Sequence, residues 1–180
     1  MSTAGAGFPL PLAAFLVYYV IERSAELVIS ARHSRAMLAR GGRESGQAHF
    51  PWLVVLHTLF PLAIVAEVLW LHARPGPLAP AWCAAWLGAQ LLRGASMLAL
   101  GGRWNTRVIV VPGEAPIRRG PYRWLRHPNY LAVVTELLSA PLMLGAWRTA
   151  IVFSLANAPA LWVRIRCEER ALAEAAPRNA

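Results

Sequence analysis

Apolar residues in this chain come in blocks close to the roughly 20 residues that a helix needs to cross a hydrocarbon layer. Five such blocks can be drawn: about Pro9 to Ser30, Pro51 to Leu71, Ala81 to Leu100, Asn129 to Ala146 and Arg148 to Val163. The last two are short and contain Pro141 and Pro159, which suits a tilted hairpin as well as two clean crossings. Of the 180 residues only 15% are charged, where a soluble domain carries about a quarter. The expected class is therefore an all-α integral membrane protein of about five transmembrane helices, forming a single domain over residues 1–180. Residues 1–100 would form a three-helix part. Residues 101–180 would supply an ordered loop, a helical hairpin and a C-terminal helix.

The gaps between blocks set an orientation. Ala31 to Phe50 contains Arg32, Arg35, Arg40 and Arg43, and Gly101 to His127 contains Arg103, Arg107, Arg118, Arg119, Arg123 and Arg126. The tail from Arg164 onward is also arginine-rich, whereas the gaps holding Arg74 and Arg148 are poor. Rich and poor gaps alternate, as they should in a five-span chain with its N-terminus outside and its C-terminus cytoplasmic. The net charge of +9 is thus spent on topology. It is not gathered on one solvated face, so no nucleic-acid partner is expected. All basic residues are arginine and all acidic ones glutamate, which reads as coding bias and makes arginine weaker evidence than usual.

Other classes can be set aside. The residues before the first block carry no cationic region, and the block runs into "IERSAEL" instead of a small-residue cleavage site. It reads as a retained helix, not a signal peptide. Cys83 and Cys167 have no CxxC spacing. His33, His49, His57, His72 and His127 lack HExxH or HxH spacing, so no metal is expected and each reads first as a structural hydrogen-bonding histidine. No GxGxxG follows a strand, which argues against a Rossmann-type cofactor site.

Several ionisable groups fall at membrane depth, where each is costly unless it faces protein. Glu22, Arg23, Glu26 and Glu67 read as groups near helix ends that pair with one another or with nearby arginines. Arg93 and Glu136 lie deeper, and either a mutual ion pair or a polar cavity would account for them. A bundle that keeps so many charges is expected to enclose a polar pocket.

The third gap carries the densest chemistry. "RWNTRVIVVPGEAPIRRGPY" has a β-branched run at Val108 to Val111, a Pro-Gly turn and a second short run, the pattern of an ordered loop with extended segments. "RHPNYL" then opens the fourth block, with Pro128 suited to the first helical turn and His127 at the cap. A helix N-terminus offers free N–H groups and positive dipole to an anion. Tyr122, Trp124, His127 and Tyr130 around it could stack on a purine or surround a sulfonium. An interfacial belt of arginines and aromatics explains the same residues. In the tail, "RIRCEERAL" places Arg164 and Glu168 four apart on one helix face.

Together, "GPYRWLRHPNYL" and "RIRCEERAL" resemble the isoprenylcysteine carboxyl methyltransferase family, membrane enzymes that use S-adenosylmethionine. That family carries a G-x-Y…R-H-P-x-Y loop, a helical hairpin and an R-x-x-x-E-E element, and all three occur here in order. "ERSAELVISARH", "GGRESGQAHFPWLVVLHTLF" and the stretch from Gly102 to Leu142 look like the small bacterial YpbQ-like branch, whose members O-methylate alkylpyrones and whose genes are associated with type III polyketide synthases. The resemblance implies that Glu114, Ala115, Pro116, Ile117, Tyr122, His127, Pro128, Asn129, Tyr130 and Glu168 bind S-adenosylmethionine. It implies that Arg164 faces the methyl acceptor, with Arg126 as a second residue orienting it. Eukaryotic members continue past the Glu-Glu pair with aromatic-rich sequence where this one reads "AEAAPRNA". That difference favours an alkylpyrone-type hydroxyl over a prenylated-protein carboxylate.

The expected function is therefore S-adenosylmethionine-dependent O-methylation of a lipophilic small-molecule or lipid-modified acceptor, with membrane lipids as surroundings. Alternatives from other classes are phospholipid N-methylation and a non-catalytic transport or sensor protein lined by Glu136 and Arg93.

Overall fold

The computed structural model describes residues 9–175. Five α-helices stand among them: α1 (Leu10–Ala39), α2 (Phe50–Trp70), α3 (Ala79–Leu100), α4 (Pro128–Met143) and α5 (Trp147–Ala175). Three helical stretches are long and apolar enough to cross a membrane: Phe50–Trp70, Ala79–Arg103 and Trp147–Ala175. The other two fail for different reasons. The 30 residues of α1 span about 45 Å, but Glu22, Arg23 and Glu26 interrupt its apolar run. With 16 residues α4 reaches only about 24 Å.

Two of the expected boundaries move. The first helix does not stop near Ser30. It continues to Ala39, where Gly41 at φ +83° turns the chain and the Gly42 N–H returns to the Met37 carbonyl at 2.9 Å. A Cβ at position 42 would fall 2.7 Å from that carbonyl oxygen. The fifth helix does not stop near Val163 either, and runs unbroken into the tail as far as Ala175. Arg178 lies outside the described residues.

The fold is also not purely helical. Arg43–Ser45 (β1) and Val108–Val110 (β2) form a two-stranded antiparallel sheet with Glu44 opposite Ile109. The β-branched run of the third gap is thus a strand, but its partner comes from the first gap, where Arg-Glu-Ser carries no strand signal. The run after the Pro-Gly turn stays irregular. Ile109 and Val111 bury against Met37 near the end of α1, and the Gly113 N–H bonds the Ala175 carbonyl at 2.9 Å. The first gap, the third gap and the end of α5 therefore meet at one end of the bundle. At the other, a Cβ on Gly145 would strike the Arg74 backbone, so the two arginine-poor connections meet there.

Near that arginine-poor end the core is apolar: Leu12, Phe15 and Tyr19 of α1 pack with Leu56, Phe60 and Ile64 of α2 and with Leu137 and Ala140 of α4. Pro61 inside α2 has no N–H for the His57 carbonyl, and the Tyr19 hydroxyl donates to that carbonyl instead, at 2.8 Å. Glu67 is buried, but it does not pair with a guanidinium. Its carboxylate accepts the backbone N–H groups of Arg148 at 3.0 Å and Thr149 at 2.7 Å, along with the Thr149 hydroxyl at 2.7 Å. It satisfies the otherwise free donors at the start of α5 from a neighbouring helix.

Glu22, Arg23 and Glu26 sit mid-helix, not near an end, and join Arg93 of α3 and Glu136 of α4 in one buried cluster. Arg23 reaches Glu22 at 3.1 Å, Glu26 at 2.8 Å and Glu136 at 3.8 Å. Arg93 reaches Glu22 at 3.5 Å and Glu26 at 3.1 Å, and also pairs with Glu136. The Arg93–Glu136 ion pair is thus present, enlarged by three residues of α1. This cluster does not line the cleft described next.

Candidate active site

The first turn of α4 is where the sequence placed it. Pro128 is buried at the start, and His127 caps the helix with φ −133° and ψ 61°. Ahead of it, Gly120–Arg123 forms a 3₁₀ turn laid against α3. Gly120 takes φ +56°, and a Cβ there would come within 3.0 Å of the Ala99 Cβ, so glycine permits both the backbone conformation and the close approach. This docking delivers Tyr122 to the same side as the α4 N-terminus.

From the facing wall, α5 presents Arg164, Glu168 and Leu172 at helical spacing, all lining a cleft of about 180 Å³. Tyr130 ties the walls together. Its hydroxyl donates to Glu168 Oε2 and accepts from Arg164 Nε at 3.0 Å. The Arg164 guanidinium also lies over the Tyr130 ring, 5.6 Å from its centroid, and the His127 ring stacks on that ring at 5.5 Å and 25°. His127 Nε2 is 3.4 Å from Glu169 Oε1. Burial, and then the Glu168 carboxylate, raises the Tyr122 phenol well above its ordinary range. It stays a neutral hydrogen-bonding group across all physiological pH.

The loop that forms the third wall is held by charge. Glu114 pairs with Arg40 at 3.0 Å and with Arg103 at 2.7 Å, and Arg103 also donates to the Ala115 carbonyl at 2.7 Å. Glu114, Ala115, Pro116 and Ile117 therefore reach the cleft as a fixed segment.

Glu114 to Ile117, Tyr122, Arg126, His127, Asn129, Tyr130, Arg164 and Glu168 all line this one cleft, with Pro128 buried directly behind. Arg126 sits at the rim: its side chain is 88% exposed, and its closest carboxylate is Glu169 at 3.9 Å. Sequence reasoning missed Trp104, Asn105 and Met37, which also line the cleft. Trp104 is the most telling. A tryptophan just past an apolar block reads as interfacial belt, yet this one is buried, and its backbone carbonyl pairs with His33 Nδ1 at 2.7 Å.

Two atoms in the cleft lining are buried without a partner, the acceptor Asn129 Oδ1 and the donor Trp104 Nε1. Buried polar groups are normally satisfied, so an orphaned acceptor and donor here fit a ligand with both amino and oxygen functions. With the aromatic faces of His127 and Tyr130 and the Glu168 carboxylate, the donor set suits S-adenosylmethionine.

The sequence signature of the isoprenylcysteine carboxyl methyltransferase family matches residues 82–174. The chain belongs to that family. The matched stretch holds nearly all of α3 and α5 with the cleft loop and α4 between them, and so every cleft residue except Met37. The chain is 37% identical over 155 residues to the uncharacterized protein YpbQ of Bacillus subtilis (strain 168), covering 86% of this chain and 92% of that one. An uncharacterized protein of Haemophilus influenzae is 27% identical over 154 residues, 85% and 90% of the two chains. No solved structure matches. Isoprenylcysteine carboxyl methyltransferases are membrane methyltransferases that generally use S-adenosylmethionine. Family membership accords with the three apolar helices long enough to span a bilayer.

Proposed function

We propose that this chain is an S-adenosylmethionine-dependent O-methyltransferase acting on a lipophilic acceptor at the cytoplasmic face of a bacterial membrane. The observation that carries the proposal is the convergence of the loop at 114–117, the α4 N-terminus and Glu168 on one cleft with an unsatisfied donor and acceptor. When bound, S-adenosylmethionine supplies an electrophilic methyl group that an acceptor oxygen attacks in line. Tyr122, His127, Asn129, Tyr130, Trp104 and Glu168 would hold it. Glu168 Oε2 is engaged by Tyr130, which leaves Oε1 for a ligand donor.

Arg164 is arranged to orient the acceptor. Its Nε is committed to Tyr130, and its terminal nitrogens make no hydrogen bond among the described residues. Those N–H groups suit a carboxylate or an acidic pyrone oxygen, held by charge-assisted bonds. Such an oxygen is already ionised at neutral pH, so no strong base is needed. The chain's contribution is alignment of the two reactants, a large part of what catalysis by proximity supplies. An alkylpyrone hydroxyl is the favoured acceptor. Its apolar tail would lie among the helices while the soluble cofactor arrives from the aqueous side.

Calorimetry on purified protein in detergent or lipid is the first test, with saturable binding of S-adenosylmethionine expected. Absence of binding by the intact protein would sink the reading. Labelled S-adenosylmethionine incubated with a total lipid extract, followed by mass identification, then names the acceptor. A methylated oxygen is expected. Label on an amine nitrogen would replace O-methylation with phospholipid N-methylation.

A further inference from the structure

A second recess, of about 550 Å³, lies beside the cleft at the arginine-rich end of the bundle. Its walls are Arg40 just past α1, Arg103 just past α3, and Arg118 and Arg119 ahead of the 3₁₀ turn, over Leu100, Gly102, Pro116 and Ile117. Four guanidiniums from three chain segments thus converge on one concavity. Among the described residues the one carboxylate paired with them is Glu114, which reaches Arg40 and Arg103. Among the described residues neither Arg118 nor Arg119 has a carboxylate partner. Arg119 is nevertheless held in place: its Nε donates at 2.7 Å to the Ala99 carbonyl at the end of α3. Its Nη2 lies 3.7 Å from where a Cβ on Gly101 would stand. A guanidinium anchored through Nε keeps its terminal N–H groups for another acceptor.

Arginines at a span boundary are expected wherever a chain follows the positive-inside rule. Arg32 and Arg35, in the last turns of α1, behave that way and stand exposed on the helix surface. The four around Gly102 differ because they surround a shared volume with an apolar floor and an unneutralised excess of positive charge.

We propose that this recess binds a phosphate group, the chemistry common to an anionic phospholipid headgroup and a soluble phosphate compound. Arginine forks match phosphate oxygens geometrically, and basic pockets at the ends of membrane helices hold lipid headgroups. The lipid source is favoured by position. The recess lies at the ends of α1 and α3, where headgroups meet the bundle, and Leu100, Pro116 and Ile117 give the glycerol end of a lipid an apolar surface. Arg103, Pro116 and Ile117 also line the cleft, so a bound phosphate would rest against the outside of the loop that forms the cleft wall. The site does not depend on what the cleft itself binds.

The test titrates detergent-solubilised intact protein with phosphatidylglycerol or phosphatidylcholine at fixed ionic strength and counts bound lipid by native mass spectrometry. Preference for phosphatidylglycerol is expected. The double variant Arg118→Gln/Arg119→Gln should bind it roughly 30-fold more weakly, and Arg118→Gln alone, which keeps the Arg119 anchor, roughly fivefold. Arg32→Gln/Arg35→Gln removes the same charge from the same end of the bundle and should leave binding nearly unchanged. Equal losses in the two double variants would overturn the proposal in favour of a diffuse surface field. So would a lack of preference between the lipids combined with no effect of inorganic phosphate. A parallel titration with inorganic phosphate assigns the source. Retention of phosphatidylglycerol in its presence points to a lipid ligand, and displacement that is lost in Arg118→Gln/Arg119→Gln points to a soluble phosphate. Both outcomes sustain the phosphate site.

Discussion

Tyr130 and Glu136 stand six positions apart on α4, about 9 Å along the helix axis, and each anchors a polar network. The two are built from the same side-chain types and end differently. Around Glu136 each of three carboxylates touches both Arg23 and Arg93. Single atoms such as Glu136 Oε1 and Arg93 Nε lack hydrogen-bond partners, but every charged group finds an opposite charge within the cluster, three carboxylates against two guanidiniums, and none of its residues lines the cleft. Around Tyr130 the bonds run in a chain, from Arg164 through the phenol to Glu168, and each end keeps free valences facing open volume. Buried charge holds helices together when its groups pair with one another. It becomes a binding site when the backbone holds its groups around a space. So many charges at membrane depth led to the expectation of a polar pocket, but Glu22, Arg23 and Glu26 pair with one another and with Arg93 and Glu136, and they do not line the cleft.

Removing one member of each network should separate the two roles. Arg93→Leu leaves three buried carboxylates facing a single guanidinium, and breaking such a set costs about 3–5 kcal/mol. Thermal unfolding in detergent should show a large loss of stability, or no foldable protein. Glu168→Ala should do the reverse, leaving the unfolding midpoint near wild type and weakening S-adenosylmethionine binding by about 10- to 100-fold. His127→Ala should fall in the same range by calorimetry. A Glu168→Ala protein as unstable as Arg93→Leu would erase the distinction.

Glu67 sharpens the comparison from a third position, as a buried carboxylate matched by backbone N–H groups and not by an ion. Glu67→Ala removes the external cap on α5, and capping losses run about 0.5–2 kcal/mol. A midpoint shift between those of Arg93→Leu and wild type is expected, with cofactor affinity unchanged. The smallest effect belongs to the half-exposed pair of Arg107 with Glu44, 2.8 Å apart across the two-stranded sheet. Glu44→Ala should cost no more than about 1 kcal/mol, and less as salt is raised.

Legibility followed the range of the interactions. Pro128 starts α4 and His127 caps it because proline fixes φ and has no N–H to lose, a local rule that needs only the sequence. Arg164 and Glu168 share a face of α5 because they are four apart on a helix, which is equally local. Arginine placement put the loop and that face at one end of the bundle, but their joining in one site was anticipated from family resemblance, since nothing in either segment alone tells which surface the other meets. Trp104 and Asn105 were invisible for the same reason. β1 was less legible still, because Arg-Glu-Ser is a strand only through the ladder that Val108–Val110 offers it.

By itself the sequence determined a helical membrane bundle with arginine-rich connections at one end and poor ones at the other. Apolar block length and arginine placement are properties of segments in a bilayer and do not require knowing how those segments pack. Tertiary structure decided the destination of each buried charge: Glu22, Arg23, Glu26, Arg93 and Glu136 to one mutually paired cluster, Glu67 to the start of α5, and Arg164 and Glu168 to the cleft. The cost of burying a charge is set by which partners lie within a few ångströms, and that depends on how the helices pack against one another. The same packing turned a basic membrane flank into the wall of a candidate active site.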